Sequence, residues 1–354
     1  MIESLSIPVL VSIFVVSAVA IWFAGIKISK TVDILATHFG LGEALGGLIM
    51  LAIVTNLPEI AITVSAALQH NLELAIGNIL GGIAIQTVVL VFLDVFGLGK
   101  QDPLTYRAAS LVLVLEGLMV IVVLTLVVVG NQLSPSIIYH GVSPIDLIIV
   151  LVWFTSIYMI GKARTELPWH KLGDLPNSQK EKRGHSMKKN YDSAIKKGTS
   201  IQKVIMIFSF CSLITLIAGV GLEVSGDAIA KHIGMTGVLF GATFLAAATA
   251  LPEVSTGLAS IKLKDYQMAV SDIFGGNAFL PVLFMVATVI SGKSVLPLAH
   301  KTDIYLTGLA ILLTIIYIIG LIFRPRKQLL WMGLDSFLVM IVYLIGLLGL
   351  FAIS

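Results

Sequence analysis

The chain alternates long apolar runs with short polar breaks. Apolar runs cover 5–26, 42–68, 72–96, 107–130 and 143–161, and after one long polar stretch 204–222, 234–260, 266–291, 302–323 and 332–352. Runs of roughly 20 apolar residues cross a hydrocarbon core about 30 Å thick as helices. The pattern therefore predicts an all-α polytopic membrane protein with ten transmembrane helices. The polar stretch 162–203 divides it into a first five-helix half, 1–161, a basic linker, and a second five-helix half, 204–354. The linker is rich in Lys, Ser and Asn and poor in branched apolar residues, so it is expected to be flexible or disordered. The first run is expected to be a retained helix: Glu3 is the only charged residue before it, and a cleaved signal needs a basic start.

Composition sharpens this picture. Of the 354 residues 57% are hydrophobic and 12% charged, about half the usual charged fraction of roughly 25%. Mean hydropathy is +1.00. Such a chain is not a nucleic-acid reader, a secreted disulfide scaffold or a cytosolic enzyme, and its expected partners are the lipid bilayer and small ions. The single cysteine, Cys211, lies within an apolar run and reads as a buried inert thiol. With the N-terminus outside, the inward-facing loops carry 20 of the 23 Lys and Arg, and the outward-facing loops carry only Lys231, Lys293 and Lys301. Cytoplasmic loops retain positive charge, so both termini are expected outside and the linker in the cytoplasm. The linker's basic residues read as a solvated segment obeying that rule, or as one attracted to anionic lipid. A compact chain with no targeting segment points to a prokaryotic inner (plasma) membrane. The pattern sets no oligomeric state.

Sliding the sequence against itself by 194 residues, without a gap, brings LGGLIMLAIVTNLPEIAI (45–62) onto LFGATFLAAATALPEVST (239–256) and AIGNILGGIA (75–84) onto AVSDIFGGNA (269–278). Over 41–90 there are 14 identities, among them Thr55/Thr249, Leu57/Leu251, Pro58/Pro252, Glu59/Glu253, Gly81/Gly275 and Gly82/Gly276. Each half has an odd number of spans, so the second copy enters the membrane from the other side. Inverted-topology repeats of this kind build secondary transporters whose substrate sits at the repeat interface near the midplane.

Glu59 and Glu253 lie near the centre of their runs, where an unpaired carboxylate costs at least about 2.5 to 3.5 kcal/mol. The preceding proline removes a backbone N–H, so carbonyls near Thr55, Asn56, Thr249 and Ala250 are expected to lose their partners and line a cavity. Two carboxylates, two threonine hydroxyls and loose carbonyls form an all-oxygen set suited to a hard cation such as Ca2+, which takes about 6 to 8 oxygens at roughly 2.3 to 2.6 Å. A protonated glutamate hydrogen-bonded in a kink accounts for one such residue; two at symmetric positions favour a cation site. The second block adds Asn78 and Asp272 at matching positions, with Asn277, Gln86 and Ser271 as neutral candidates, and its paired glycines read as close helix approach. Glu116 has no repeat counterpart and is either a proton relay or an interfacial hydrogen-bond partner. Asp33 and Asp227 match across the repeat and read as helix-cap or loop residues.

The Thr-x-x-Pro-Glu blocks, each followed by a helix carrying Gly-x-x-Gly-Gly, resemble the two alpha repeats of the calcium/cation antiporter superfamily, which includes sodium/calcium and proton/calcium exchangers. The resemblance covers about fifty residues in each half and the five-plus-five plan. It implies calcium coordination by Glu59 and Glu253 with help from Thr55 and Thr249, and a first and sixth span that slide against the rest. Where sodium/calcium exchangers usually have serines, this chain has Gly82 and Gly276, and four residues on it has Gln86 and Leu280. Several sodium ligands implied by the family are therefore missing, and Gly82 with Gln86 echoes the proton-coupled branch.

The expected activity is exchange of Ca2+ for Na+ or H+ by alternating access, with no cofactor and no catalysis. The metal-site candidates are Glu59, Glu253, Thr55 and Thr249, followed by Asn56, Asn78, Gln86, Asp272 and Asn277. The alternative is a monovalent (Na+ or K+)/H+ exchanger on the same fold. An intramembrane hydrolase finds no HExxH, paired-aspartate or nucleophile-elbow motif here. A channel is disfavoured because two carboxylates hold a divalent ion too tightly for rapid conduction.

Overall fold

The computed structural model describes residues 5–40, 50–133, 142–166, 185–196 and 198–353. Among them, nine helical segments are long and apolar enough to cross a membrane. The run expected at 42–68 begins outside the described residues, and its described part is α2 (Leu51–Thr55) and α3 (Leu57–Leu68). The remaining helices are α1 (Ile7–His38), α4 (Leu72–Phe92, continued by a π turn, Leu93–Leu98), α5 (Leu104–Ala108), α6 (Leu111–Asn131), α7 (Pro144–Glu166) and α8 (His185–Lys196). The second half contains α9 (Ile201–Ile233), α10 (Gly237–Phe240), α11 (Ala246–Thr249), α12 (Leu251–Lys262), α13 (Tyr266–Phe279), α14 (Leu283–Ser291), α15 (Lys301–Phe323) and α16 (Leu334–Ile353).

The first and sixth spans are longer than their apolar runs, at 32 residues in α1 and 33 in α9. A rise of about 1.5 Å per residue gives each nearly 50 Å, so both carry charged residues as continuous helix past the hydrocarbon. Local chemistry sets their ends. Pro8 occupies the first turn of α1, Ser200 caps α9 by accepting from Lys203 N, and Gly234 ends α9 at φ 70°. The two helices pack antiparallel. A Cβ on Gly221 would lie 3.6 Å from Ser17 Cβ, and one on Gly226 would lie 3.6 Å from Phe14, so numbers fall along one helix as they rise along the other.

The core lies around α4 and α13. The most apolar 18-residue stretch of the α4 span is 72% buried within the protein, against 28% for those of α1, α7, α9 and α16, which turn most of their apolar surface outward. Close approach at α4 depends on glycine: a Cβ on Gly81 would stand 2.7 Å from Ala242 Cβ, and one on Gly77 would stand 2.7 Å from the Val238 carbonyl. Between α15 and α16 a two-residue hairpin pairs β1 (Gln328–Leu329) with β2 (Met332–Gly333). Asp94, fully buried at the π turn, accepts from Leu104 N at 2.9 Å and Gly333 N at 2.7 Å, tying this hairpin to the first half.

The linker departs from the expectation of disorder over 185–196, where α8 packs on α1. Asn190, Tyr191 and Ala194 form its half-buried inner face, while Lys188, Lys189, Asp192 and Ile195 are exposed. Spacing of one, three and four residues places such a face along one side of a helix. Residues 167–184 and 197 lie outside the described residues.

Candidate cation site

The helix breaks expected at the Leu-Pro-Glu blocks are present. Helical geometry lapses at Asn56 (φ −86°, ψ 17°) and Ala250 (φ −75°, ψ 1°), and a new helix starts with proline in its first turn, at α3 and α12. Glu59 and Glu253 each fall in that first turn. The positive end of a helix dipole favours a carboxylate there, which offsets part of the cost of burying it. One detail differs from the sequence reading: the carbonyls of Asn56 and Ala250 are not freed, because they accept from Ile60 N at 3.0 Å and Val254 N at 3.2 Å one turn on.

Both glutamates are 0% exposed and meet across a single side chain. Gln86 Nε2 donates to Asn56 Oδ1 at 3.0 Å and lies 3.4 Å from both Glu59 Oε1 and Glu253 Oε1. The other oxygen of each glutamate, Oε2, and the Gln86 carbonyl oxygen are buried without a hydrogen-bond partner. The threonines are exchanged between repeats: the Thr249 hydroxyl lies beside Glu59 and the Thr55 hydroxyl beside Glu253. Asp272 accepts from Thr55 Oγ1 at 3.5 Å and from the Thr256 hydroxyl, so it adjoins the pair as a third buried carboxylate.

Glycine makes room here in a way that helix packing alone does not predict. A Cβ on Gly276 would lie 2.8 Å from Asn56 Nδ2 and 3.3 Å from Gln86 Oε1. Gly81 packs helix against helix, as expected for a paired glycine, whereas Gly276 spares space for two polar side chains.

The remaining candidates divide. Asn277 donates to Thr87 Oγ1 at 3.2 Å, and that hydroxyl is committed to the Ile83 carbonyl. Asn78 is fully buried, with neither amide atom partnered, and its backbone packs against Gly241. Ser271 is likewise buried with an unpartnered hydroxyl. Among the described residues no three His, Cys, Asp or Glu side chains converge as a metal cage by themselves. A cation held here draws further oxygens from hydroxyls, amides or backbone.

Asp33 and Asp227 are neither caps nor loop residues. Asp33 lies within α1, buried, and accepts from Asn190 Nδ2 at 2.7 Å. Asp227 lies within α9, accepts from Asn71 Nδ2 at 2.7 Å and pairs with Lys231 at 2.8 Å. Nearby, Ser65 Oγ and Gln69 Nε2 both donate to Glu223 Oε2 at 2.8 Å. Apart from Asp33 and Asp227, these polar ties escape a search for repeated motifs because their members differ between the halves. Gly25 and Gly219 were legible through the same 194-residue offset yet absent from the candidates. A Cβ on Gly25 would lie 3.0 Å from Pro252, and one on Gly219 would lie 2.7 Å from Ala61 and 3.1 Å from the Pro58 carbonyl. Each long helix thus crosses the other half's Pro-Glu turn through a glycine. On the linker side a cavity of about 260 Å³ opens between α1 and α12, bounded by Ile26, Ser29, Lys30, Asp33, Asn190, Ser255, Ala259, Ser260, Lys262 and Leu263.

Paired carboxylates from inverted, discontinuous helices at the heart of a helical membrane protein define the class of membrane cation exchangers. The chain belongs to the sodium/calcium exchanger protein family, whose model matches residues 9–161 and 203–349. It is 22% identical over 294 residues to the inner membrane protein YrbG of Escherichia coli (strain K12), covering 82% of this chain and 83% of that protein. Its fold is shared with the H+/Ca2+ exchanger CAX (TM-score 0.63, 14% identity, 96% of this chain and 82% of that one). It is also shared with the sodium-calcium exchanger NCX_Mj (TM-score 0.58, 15% identity, 96% and 98%).

Proposed function

We propose that the protein is a secondary antiporter exchanging Ca2+ for Na+ or H+ by alternating access in a prokaryotic inner membrane, its linker in the cytoplasm. The observation that carries this reading is the convergence of Glu59 and Glu253, one from each inverted repeat, on the single amide nitrogen of Gln86 in a fully buried site. A donor shared by two carboxylates stands where a cation is attracted most strongly. An arriving cation displaces that nitrogen and meets Glu59 and Glu253, the hydroxyls of Thr55 and Thr249, and Asp272 at the margin. Rotation of the Gln86 amide turns its unpartnered carbonyl oxygen toward the ion in place of the nitrogen. Asn56 holds Gln86 in position, and Asn78 and Asn277, each with a buried unpartnered carbonyl oxygen, are reserve ligands.

Antiport follows from competition. Calcium needs both glutamates ionised, and Na+ or H+ occupying the same carboxylates expels it, so the two ions cross in opposite directions in separate half-cycles. Leaving both glutamates ionised with no bound ion is costly at this depth, which discourages the empty site from crossing.

The test is Ca2+ uptake into proteoliposomes loaded with Na+ or at low internal pH, with Glu253→Gln in parallel. Uptake driven by one gradient and lost in the variant names the coupling ion; full exchange by the variant sinks the scheme. A second reading, monovalent cation/H+ exchange, is favoured by Leu280, an apolar side chain at the position that the repeat makes equivalent to Gln86. Fewer oxygens lower the charge density of the site. Absence of Ca2+ uptake in either gradient, with Na+ or K+ flux retained, selects it.

A further inference from the structure

The two faces of the molecule differ at positions that the repeat makes equivalent. On the face away from the linker, α3 and the turn after it are tied to α9: Ser65 and Gln69 hold Glu223, and Asn71 holds Asp227. The 194-residue offset maps Glu223, Asp227, Ser65, Gln69 and Asn71 onto Ser29, Asp33, Ala259, Leu263 and Asp265. Four of these five, Ser29, Asp33, Ala259 and Leu263, border the linker-side cavity instead of a latch.

The reason lies in the side chains. Every donor that closes the first face is missing from the second: Ala259 and Leu263 offer none, and Asp265 sets a carboxylate where Asn71 supplies an amide. Nearer the membrane centre the two faces still match, with Gly219 on Pro58 and Gly25 on Pro252. The asymmetry is therefore confined to the outer part of the crossing. The missing amide comes from outside the repeat. Asn190 of α8 donates through Nδ2 to Asp33 Oδ2 at 2.7 Å, repeating the residue types and length of the Asn71 to Asp227 bond.

We propose that α8 is the gate of the linker-side vestibule, with Asn190 standing in for the latch asparagine that the second repeat lacks. Asn190 borders the cavity together with Ser255 of α12, the helix that carries Glu253 in its first turn, so α8 covers the linker-side opening between α1 and that helix. Its inner face is only half buried and its outer face is charged. A helix held this lightly lifts and reseats without unfolding the membrane body. Closure of the opposite face is built into the repeat; closure of this face depends on the linker.

The gate is tested without any transported ion, so its failure and that of the exchange reading are separable. In a Cys211→Ser background, Ser255→Cys is labelled by a membrane-impermeant maleimide applied from the linker side. Asn190→Ala is expected to raise the labelling rate about tenfold, as the hydrogen bond that holds α8 to Asp33 is lost. Asn190→Asp, setting a carboxylate against Asp33, raises it at least as much. In an Asp33→Asn background, where the bond is already altered, Asn190→Ala should add less than twofold. Should Ser255→Cys fail to fold, Ala259→Cys reports on the same cavity. Equal rates for Asn190→Ala and its parent overturn the gate and leave the exchange reading untouched; absent Ca2+ flux with a tenfold labelling change does the reverse.

Discussion

Gln86 is the residue on which the site turns. Its amide is the donor shared by Glu59 and Glu253, and its repeat equivalent is Leu280, so the two halves do not contribute alike. Gln86→Leu would leave two buried carboxylates without that donor, at a cost of about 1 to 3 kcal/mol for the unsatisfied groups. The expected outcome is a lower melting temperature without ions and a larger upward shift on adding the transported cation, both read in thermal melts. An unchanged ion-free melting temperature would contradict the role given to the amide. The glutamates and threonines were visible in the sequence because duplication singles them out. The Asn56–Gln86 pair was visible only as two polar residues among several, since they stand 30 positions apart and the chain folds through α3, a turn and part of α4 before they meet. Asn277, one residue past the glycines, donates its amide nitrogen to Thr87, while its carbonyl oxygen is buried without a partner.

At the scale of elements, the long helices α1 and α9 cross the Pro-Glu turns with no room to spare. Gly219→Leu places a side chain against Ala61 and the Pro58 backbone, and overpacking of this kind costs about 1 to 3 kcal/mol. Reduced thermal stability together with slowed cation flux is expected, and a substitution without effect on flux would show that the crossing plays no part in the cycle. Asp94 makes a different prediction. Asp94→Ala strands the buried Leu104 and Gly333 amides, each loss worth about 1 to 3 kcal/mol, so detergent-solubilised protein should melt earlier while the carboxylate site, elsewhere in the core, keeps its cation affinity. The lengths of α1 and α9 were under-read from sequence because hydropathy stops at Lys27 and Glu223, whereas helix propensity does not: polar partners such as Asn190, Ser65 and Gln69 receive the charges that follow.

For the whole molecule, the question is which parts move. Ser17 and Gly221 face each other with Cβ positions 3.6 Å apart, within the range of about 3.5 to 4.5 Å that a disulfide accepts. Ser17→Cys with Gly221→Cys, in a Cys211→Ser background, should therefore cross-link α1 to α9. If the two helices shift as one body against the rest, oxidation leaves cation flux intact; loss of flux restored by reductant would show that they slide past each other instead.

The sequence by itself determined the membrane class, the inverted repeat and the paired glutamates. These rest on hydropathy and on identity at a fixed offset, properties that a linear chain carries without being folded. It also determined where the helices break, because proline lacks the N–H that a continuous helix requires. Only the tertiary structure decided which polar residues share the carboxylates, why Gly276 must be small, and how the two faces differ. Those depend on side chains brought together from distant positions, and on the places where the halves have ceased to be alike: Asn71 against Asp265, Gln86 against Leu280. A repeat announces what its copies share; the asymmetry on which one-sided access rests becomes legible when both copies are folded against each other and against the linker.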